Sequence, residues 1–246
     1  MTYTRRGTQR FTATAFYGLI YSMDTKDIKA RAALGLEESA LRPLSGNVYL
    51  HQDVIAPYQM LADAAQREGF SLQVASGYRS FERQLAIFNA KASGQRPVLD
   101  DCGEPVDMTS LSDTDKLWAI LRYSALPGAS RHHWGSDMDV YDGSALPEGY
   151  SLQLTPSECC QGGVFAELHQ WLDDYLPTCD FYRPYARDTG GVAPEPWHLS
   201  YAPLAETFSD CLTPDVLARQ LAVTDIALQS AVLDNITTIF QRYVRI

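Results

Sequence analysis

Between residues 130 and 139 the chain reads SRHHWGSDMD, so two histidines, a glycine and two aspartates fall within ten positions. Only five histidines occur in 246 residues, and placing two beside acids suggests a site for a divalent cation. A catalytic zinc site takes three ligands from His, Asp, Glu or Cys and keeps one position open for water. Strand alternation through DMDVYD puts Asp137, Asp139 and Tyr141 on one face, with Met138 and Val140 on the other. His132 or His133 would supply nitrogen from the loop just before that strand, and Gly135 would let the backbone bend between ligands. A third ligand must come from elsewhere. EPWHLSY (195–201) offers His198, three positions after Glu195.

Glu195 also supplies a general base, able to take a proton from water and pass it to a leaving amine. Zinc lowers the pKa of bound water from about 15.7 to about 7. At about 1.4 kcal/mol per unit this is about 12 kcal/mol toward hydroxide, so water is the expected nucleophile. No G-x-S-x-G elbow occurs, and Cys102, Cys159, Cys160, Cys179 and Cys211 form no C-x-x-C pair and have no evident activating neighbour. They read as structural or free thiols. His51, before a helix, and His169, on an amphipathic one, read as structural. Asp137 is either a neighbour of the site or a solvated strand acid.

Several elements must position these groups. Val54, Tyr58, Leu61 and Ala65 share one face of a helix over 53–68, which Gly69 can stop. FSLQVAS alternates as a half-buried strand. Ser80 can cap a helix with the stripe Phe81, Leu85 and Phe88, and Ser112 with Asp115 resembles a capping box before a helix to about Tyr123. The segment 91–110 is rich in Gly, Pro and Asp and reads as a long loop. Phe165, Leu168, Leu172 and Tyr175 mark another helix, and Val232, Ile236, Ile239 and Tyr243 recur at helical spacing in the tail after Thr213. Helices mixed with short strands predict an α+β protein. A single domain over 1–246 is expected, with an N-terminal extension (1–45), a core (46–204) and a helical C-terminal extension (205–246).

Composition narrows the partners. Net charge is −10 with no basic stripe, which argues against nucleic acid. No run of about 18 apolar residues exists to span a membrane. The first 26 residues lack a continuous apolar leader region, so the chain as written is expected in the cytoplasm, and in the periplasm or cell envelope if a leader has been removed. Nothing specifies an oligomeric state.

Together, Ser130-x-His132-x-x-Gly135-x-x-x-Asp139, Glu195-x-Trp197-His198 and SGYRSFERQ (76–84) resemble the VanY-type D-alanyl-D-alanine carboxypeptidases. These lie within the LAS metallopeptidases, which include the zinc-binding fold of Hedgehog proteins. The resemblance runs in order from Tyr49 to Tyr201. It implies a zinc peptidase core with a small antiparallel sheet flanked by helices, and one zinc ion per chain held by His132, Asp139 and His198. By the same resemblance Glu195 is the general base, and Arg79 steadies an oxyanion or a substrate carbonyl with its fixed guanidinium fork. Gln84 is implied to hydrogen-bond the peptide, with Ser76, Tyr78 and Ser130 as contacts or supports.

The implied activity is hydrolysis of the terminal D-alanine amide of peptidoglycan stem peptides, D,D or L,D. A cell-lysis endopeptidase and a zinc-stabilised module without catalysis are the alternatives, and Glu195 speaks against the second. The two-histidine, one-carboxylate set also suits iron(II), although Glu195 favours hydrolysis. Many relatives of this kind carry a small residue where this chain has Asp137. Here the acid is expected to bind a substrate amine, to tune His132 from behind, or to raise the pKa of the bound water.

Overall fold

Alternating apolar residues build a four-stranded antiparallel sheet in the computed structural model, which describes residues 25–245. The leader reading of the first residues therefore falls mostly outside the described residues. Helix α1 (Thr25–Ala33) leads to a hairpin of β1 (Leu41–Ser45) and β2 (Val48–His51). Next come α2 (Gln52–Arg67), β3 (Leu72–Ser76), α3 (Phe81–Ala92) and α4 (Asp113–Tyr123). A 3₁₀ turn (Arg131–Trp134) precedes β4 (Asp137–Asp142), followed by α5 (Pro156–Cys159), α6 (Ala166–Tyr175), β5 (Phe181–Tyr182) and β6 (His198–Tyr201). Helices α7 (Ala202–Cys211), α8 (Pro214–Ala222), α9 (Gln229–Asp234) and α10 (Ile236–Ile239) finish the chain with a π turn (Phe240–Val244). The fold class is α+β, and no described helix is long and apolar enough to cross a membrane.

The sheet order is β3-β4-β6-β5. One face carries Leu72, Val74, Met138, Val140 and Leu199, which pack on Val54, Tyr58 and Leu61 of α2 and on Leu168 and Leu172 of α6. Full burial of such side chains contributes about 1.5–3 kcal/mol each, so this face fixes the β4 register. A slip of one residue would turn Asp137 and Asp139 into that core. The expected caps are present: Ser80 Oγ accepts from the Arg83 N–H and Ser112 Oγ from the Asp115 N–H, each at 3.2 Å. The segment read as a loop first completes α3 and then forms an isolated bridge between Leu99 and Pro105.

A second core joins Phe88, Leu117, Ile120 and Leu121 to Leu217, Leu221, Val232 and Ile239 of the tail. The tail is not one continuous helix. At Asn235 the backbone leaves helical geometry (φ −108°, ψ 9°), and its side-chain amide donates to the Ala231 carbonyl at 2.8 Å. A short polar side chain that satisfies a backbone carbonyl locally competes with the helix ladder. Val232, Ile239 and Tyr243 are nevertheless buried, in the same cluster as Phe81 and Trp134. The residues expected as a C-terminal extension thus brace the turn that carries His132.

Candidate metal centre and cleft

Three strands bring the site together by register. Asp139 of β4 lies directly opposite His198 of β6, and opposite Ser76 of β3 on its other side. Directly paired residues on one face have Cβ atoms about 4.5–5.5 Å apart, within reach of a shared ion. His132 arrives from the 3₁₀ turn, which ends at Gly135 with φ +65°. A Cβ at Gly135 would sit 2.8 Å from the His51 nitrogen, so close approach as well as backbone conformation demands glycine.

One nitrogen of each histidine is committed elsewhere and the other faces the centre. His132 Nδ1 donates to the Gly77 carbonyl at 2.8 Å, which leaves Nε2 3.4 Å from Asp139 Oδ2. His198 Nε2 donates to Asp137 Oδ2 at 2.9 Å, which leaves Nδ1 3.3 Å from Asp139 Oδ1 and 3.3 Å from Glu195 Oε2. The ligand atoms of His132, Asp139 and His198 lie within 4.8 Å of one another, and all three residues are buried. His198 Nδ1 and Asp139 Oδ1 have no hydrogen-bond partner. Buried polar atoms are rarely left unpaired, so two orphans facing one point fit an electron-pair acceptor there. Burial would raise the Asp139 carboxyl pKa, but the neighbouring His132 and His198 hold it well below the usual carboxylate range. Burial would likewise lower the His198 pKa, yet the acids Asp137, Asp139 and Glu195 around it raise it well above an ordinary imidazole.

Asp137 lies behind His198 and not beside His132, and it has no exposure to meet a substrate amine. Its Oδ2 accepts from Arg131 Nε at 2.7 Å as well as from His198, and its Oδ1 accepts from Ser136 Oγ at 2.6 Å and Ser200 Oγ at 2.9 Å. Arg131 also donates to Ser200 Oγ at 2.7 Å and the Tyr182 hydroxyl at 2.8 Å. Burial alone would push the Asp137 carboxyl up; the Arg131 guanidinium and the His198 hydrogen bond hold it far below the usual range. A carboxylate on the far nitrogen fixes the tautomer and orientation of a metal-binding imidazole. Arg131, Ser136, Ser200 and Tyr182 carried no signal of their own in the sequence; the unusual acid at 137 was the clue to a buried partner.

Arg79 lines the cleft with its backbone clamped on both sides. Its N–H donates to the His132 carbonyl at 3.1 Å, and its carbonyl accepts from His133 Nδ1 at 2.6 Å. His133 Nε2 accepts from the Gly128 N–H at 3.0 Å, so this buried histidine is structural and burial lowers its pKa to about 3. The Arg79 guanidinium donates to Gln84 Oε1 at 2.9 Å and Ser76 Oγ at 3.3 Å. Gln84 is fully buried, and its amide nitrogen donates to the Ala125 carbonyl at 2.6 Å. Both ends of Gln84 are therefore engaged, and it holds Arg79 where a peptide contact was expected. The Tyr78 hydroxyl donates to the Gly35 carbonyl and Glu38, each at 3.1 Å, and is not among the cleft-lining residues. Ser130 is buried and lines the cleft.

The cleft has a volume of about 190 Å³ and is closed by Tyr123, Leu154, Tyr185, Val192 and Trp197. Tyr185 sets its ring edge-on to His198, with centroids 5.0 Å apart. His51 caps α2 by accepting from the Asp53 N–H, while Arg183 reaches His169; both histidines stand apart from the cation cluster. None of the five cysteines is in a disulfide.

The α+β scaffold sets a buried His–Asp–His cluster, able to hold a cation, beside a glutamate and a clamped arginine. The chain belongs to the VanY D-alanyl-D-alanine carboxypeptidase family, whose model matches residues 47–204. It is 39% identical over 121 residues to an uncharacterized protein of Haemophilus influenzae, covering 48% of this chain and 92% of that one. It is 28% identical over 151 residues to a D-alanyl-D-alanine carboxypeptidase of Enterococcus faecalis, covering 60% of this chain but only 46% of that protein. Among solved structures, VanYB in complex with D-alanine-D-alanine matches with a TM-score of 0.48 at 23% identity, covering 75% of this chain and 89% of that one. The LdcB LD-carboxypeptidase matches with a TM-score of 0.48 at 22% identity, covering 78% and 77%.

Proposed function

We propose that this protein is a zinc-dependent carboxypeptidase that hydrolyses the terminal D-alanine amide of peptidoglycan stem peptides, D,D or L,D. The observation that carries the proposal is the pair of orphaned atoms on Asp139 and His198, opposed across two strands with His132 and Glu195 beside them. His132 Nε2, an Asp139 oxygen and His198 Nδ1 would hold one zinc ion per chain, which supplies Lewis acidity when bound. Membership of the VanY family supports the substrate class.

Glu195 sits on the irregular segment just before β6, held by its N–H donating to the Tyr185 carbonyl at 3.0 Å, and it keeps partial access to the cleft. It takes a proton from the attacking water as the water oxygen bonds to the scissile carbonyl carbon. It returns that proton to the amine nitrogen as the C–N bond breaks. Arg79, with two guanidinium N–H groups anchored by Gln84 and Ser76, directs its remaining donors at the oxyanion. Asp137 and Arg131 keep His198 in one orientation throughout. Membership of a carboxypeptidase family favours the carboxypeptidase over the endopeptidase.

The test is mass spectrometry of products from tri-, tetra- and pentapeptide stems with zinc-loaded protein. Loss of one terminal alanine is expected, and the substrate that loses it separates D,D from L,D cleavage. Glu195→Gln should retain one zinc per chain and lose hydrolysis. Wild-type protein that binds zinc and cleaves no stem peptide between pH 6 and 9 would leave a binding module as the better account.

A further inference from the structure

The cleft wall contains a backbone that its sequence does not favour. Leu154 lines the cleft with Arg79, Tyr185, Trp197 and His198, and it stands at φ +53°. Side chains other than glycine avoid this left-handed region because Cβ crowds the following carbonyl. Among the described residues only Leu228 also does so, and it does not line the cleft.

A carboxylate explains the conformation. Glu158 is 4% exposed; its Oε1 accepts from the Gln153 N–H at 3.0 Å and its Oε2 from the Thr155 N–H at 3.1 Å. The Tyr150 hydroxyl donates to Oε1 as well, at 2.8 Å. The two amides that flank Leu154 therefore converge on one anion. Successive backbone N–H groups form such an anion-binding concavity when helical and left-handed residues alternate. The same glutamate closes a capping box with Thr155 at the start of α5. Glycine would make this turn without strain. A leucine held there by a buried carboxylate marks a position where the side chain itself is used.

The surrounding chemistry says what for. The cleft that Leu154 lines also carries Ala125, Val192, Trp197 and Tyr185, and among the described residues its only carboxylates are Asp139 and Glu195, both beside the proposed centre. No counter-ion is left for a basic substrate side chain. The cavity, about 190 Å³, falls below the roughly 300–1,000 Å³ of sites for drug-sized ligands.

We infer that Leu154 is a specificity-determining residue, whose side chain restricts the residues flanking the scissile amide to alanine-sized apolar groups and so selects D,D over L,D cleavage. Glu158 is the positioning residue that aims it. This rests on the carboxypeptidase reading of the cleft.

The experiment compares zinc-loaded wild type, Leu154→Gly, Leu154→Phe and Glu158→Gln on acylated peptides ending in D-Ala-D-Ala, and on analogues with D-Leu at either of the last two positions. Wild type should prefer alanine at both. Leu154→Gly should raise the D-Leu to D-Ala ratio of kcat/KM at least tenfold at one position, with a melting temperature equal to or above wild type because the left-handed strain is gone. Leu154→Phe should lower kcat/KM for D-Ala-D-Ala at least tenfold at unchanged zinc content. Glu158→Gln should move the ratio the same way as glycine, through KM more than kcat, which loss of fold alone would not do. An active wild type with a ratio unchanged within twofold in folded Leu154→Gly overturns this inference and leaves the carboxypeptidase standing. A wild type inactive on this panel and on tri-, tetra- and pentapeptide stems overturns both; one that cleaves only a stem with a diamino acid before its terminal D-alanine overturns this inference alone.

Discussion

Replacing Asp137 with asparagine removes a charge while keeping a shape. The amide oxygen can still accept from Arg131 and His198, and its NH₂ can donate to the Ser136 and Ser200 hydroxyls, which are free to rotate. What disappears is the only carboxylate among the described residues that pairs with Arg131, whose side chain is 6% exposed beside a partner at 0%. Stranding one member of a buried pair costs about 3–5 kcal/mol. Against a typical total stability of about 5–15 kcal/mol this is a large fraction, so the metal-free variant should unfold at a clearly lower urea concentration. The His198 imidazole also loses the anion that orients it. Removal of such outer partners weakens metal binding about 10- to 100-fold, or about 1.4–2.7 kcal/mol.

Chelator competition measures the second effect separately from the first. The double variant Arg131→Met/Asp137→Ala then distinguishes stability from positioning. Stability should recover in part because no buried charge is stranded. Zinc affinity should stay low, because His198 Nε2 has no acceptor. Wild-type zinc affinity in Asp137→Asn, within twofold, would refute the claim that this carboxylate sets the ligand geometry.

Two further outcomes follow from the same coordinates. Zinc at about one hundred times its dissociation constant should add about 2.7 kcal/mol. That raises the melting temperature by about 5–10 °C for a chain of this size; Glu195→Gln should keep the shift and His198→Ala should lose it. His169 is buried, and desolvation, with Arg183 nearby, lowers its pKa to about 4 from an ordinary 6.5. Between those values the unfolded chain binds the extra proton, so stability falls as pH drops from 6.5 toward 4, by about 3 kcal/mol in all. Urea midpoints of metal-free protein across that range should show the decline, and His169→Asn should reduce its slope without abolishing it, because buried His133, lowered to about 3, contributes in the same direction.

The proposed ligand set was legible in the sequence because its signals are local. Two-residue alternation through DMDVYD put Asp139 on the opposite face from Met138 and Val140, and the family resemblance pointed to His132 rather than His133, with His198. Capping signals at Ser80 and Ser112 located two helix starts for the same reason. The partner of Asp137 was not legible, because it depends on β4 pairing with β6 across some sixty residues and on Arg131 folding back over the strand. For Gln84 the sequence indicated the neighbourhood but not its contacts with Arg79 and Ala125. Sequence shows that a polar residue shares a face with Phe81 and Phe88, but not that Arg79 and Ala125 already occupy both ends of its amide. The break at Asn235 and the left-handed Leu154 were hidden too, since each follows from a local polar group outcompeting the regular pattern.

Two of the three proposed cation ligands are mounted on hydrogen-bonded neighbouring strands, whereas the cleft rim is made of connecting segments around Ser124, Leu154 and Val192. The catalytic hardware and the selectivity hardware are thus anchored separately. Rim segments could be exchanged for others of different length while the strand-borne ligands stay in place, which makes this scaffold a chassis for grafting new peptide preferences onto an unchanged hydrolytic centre.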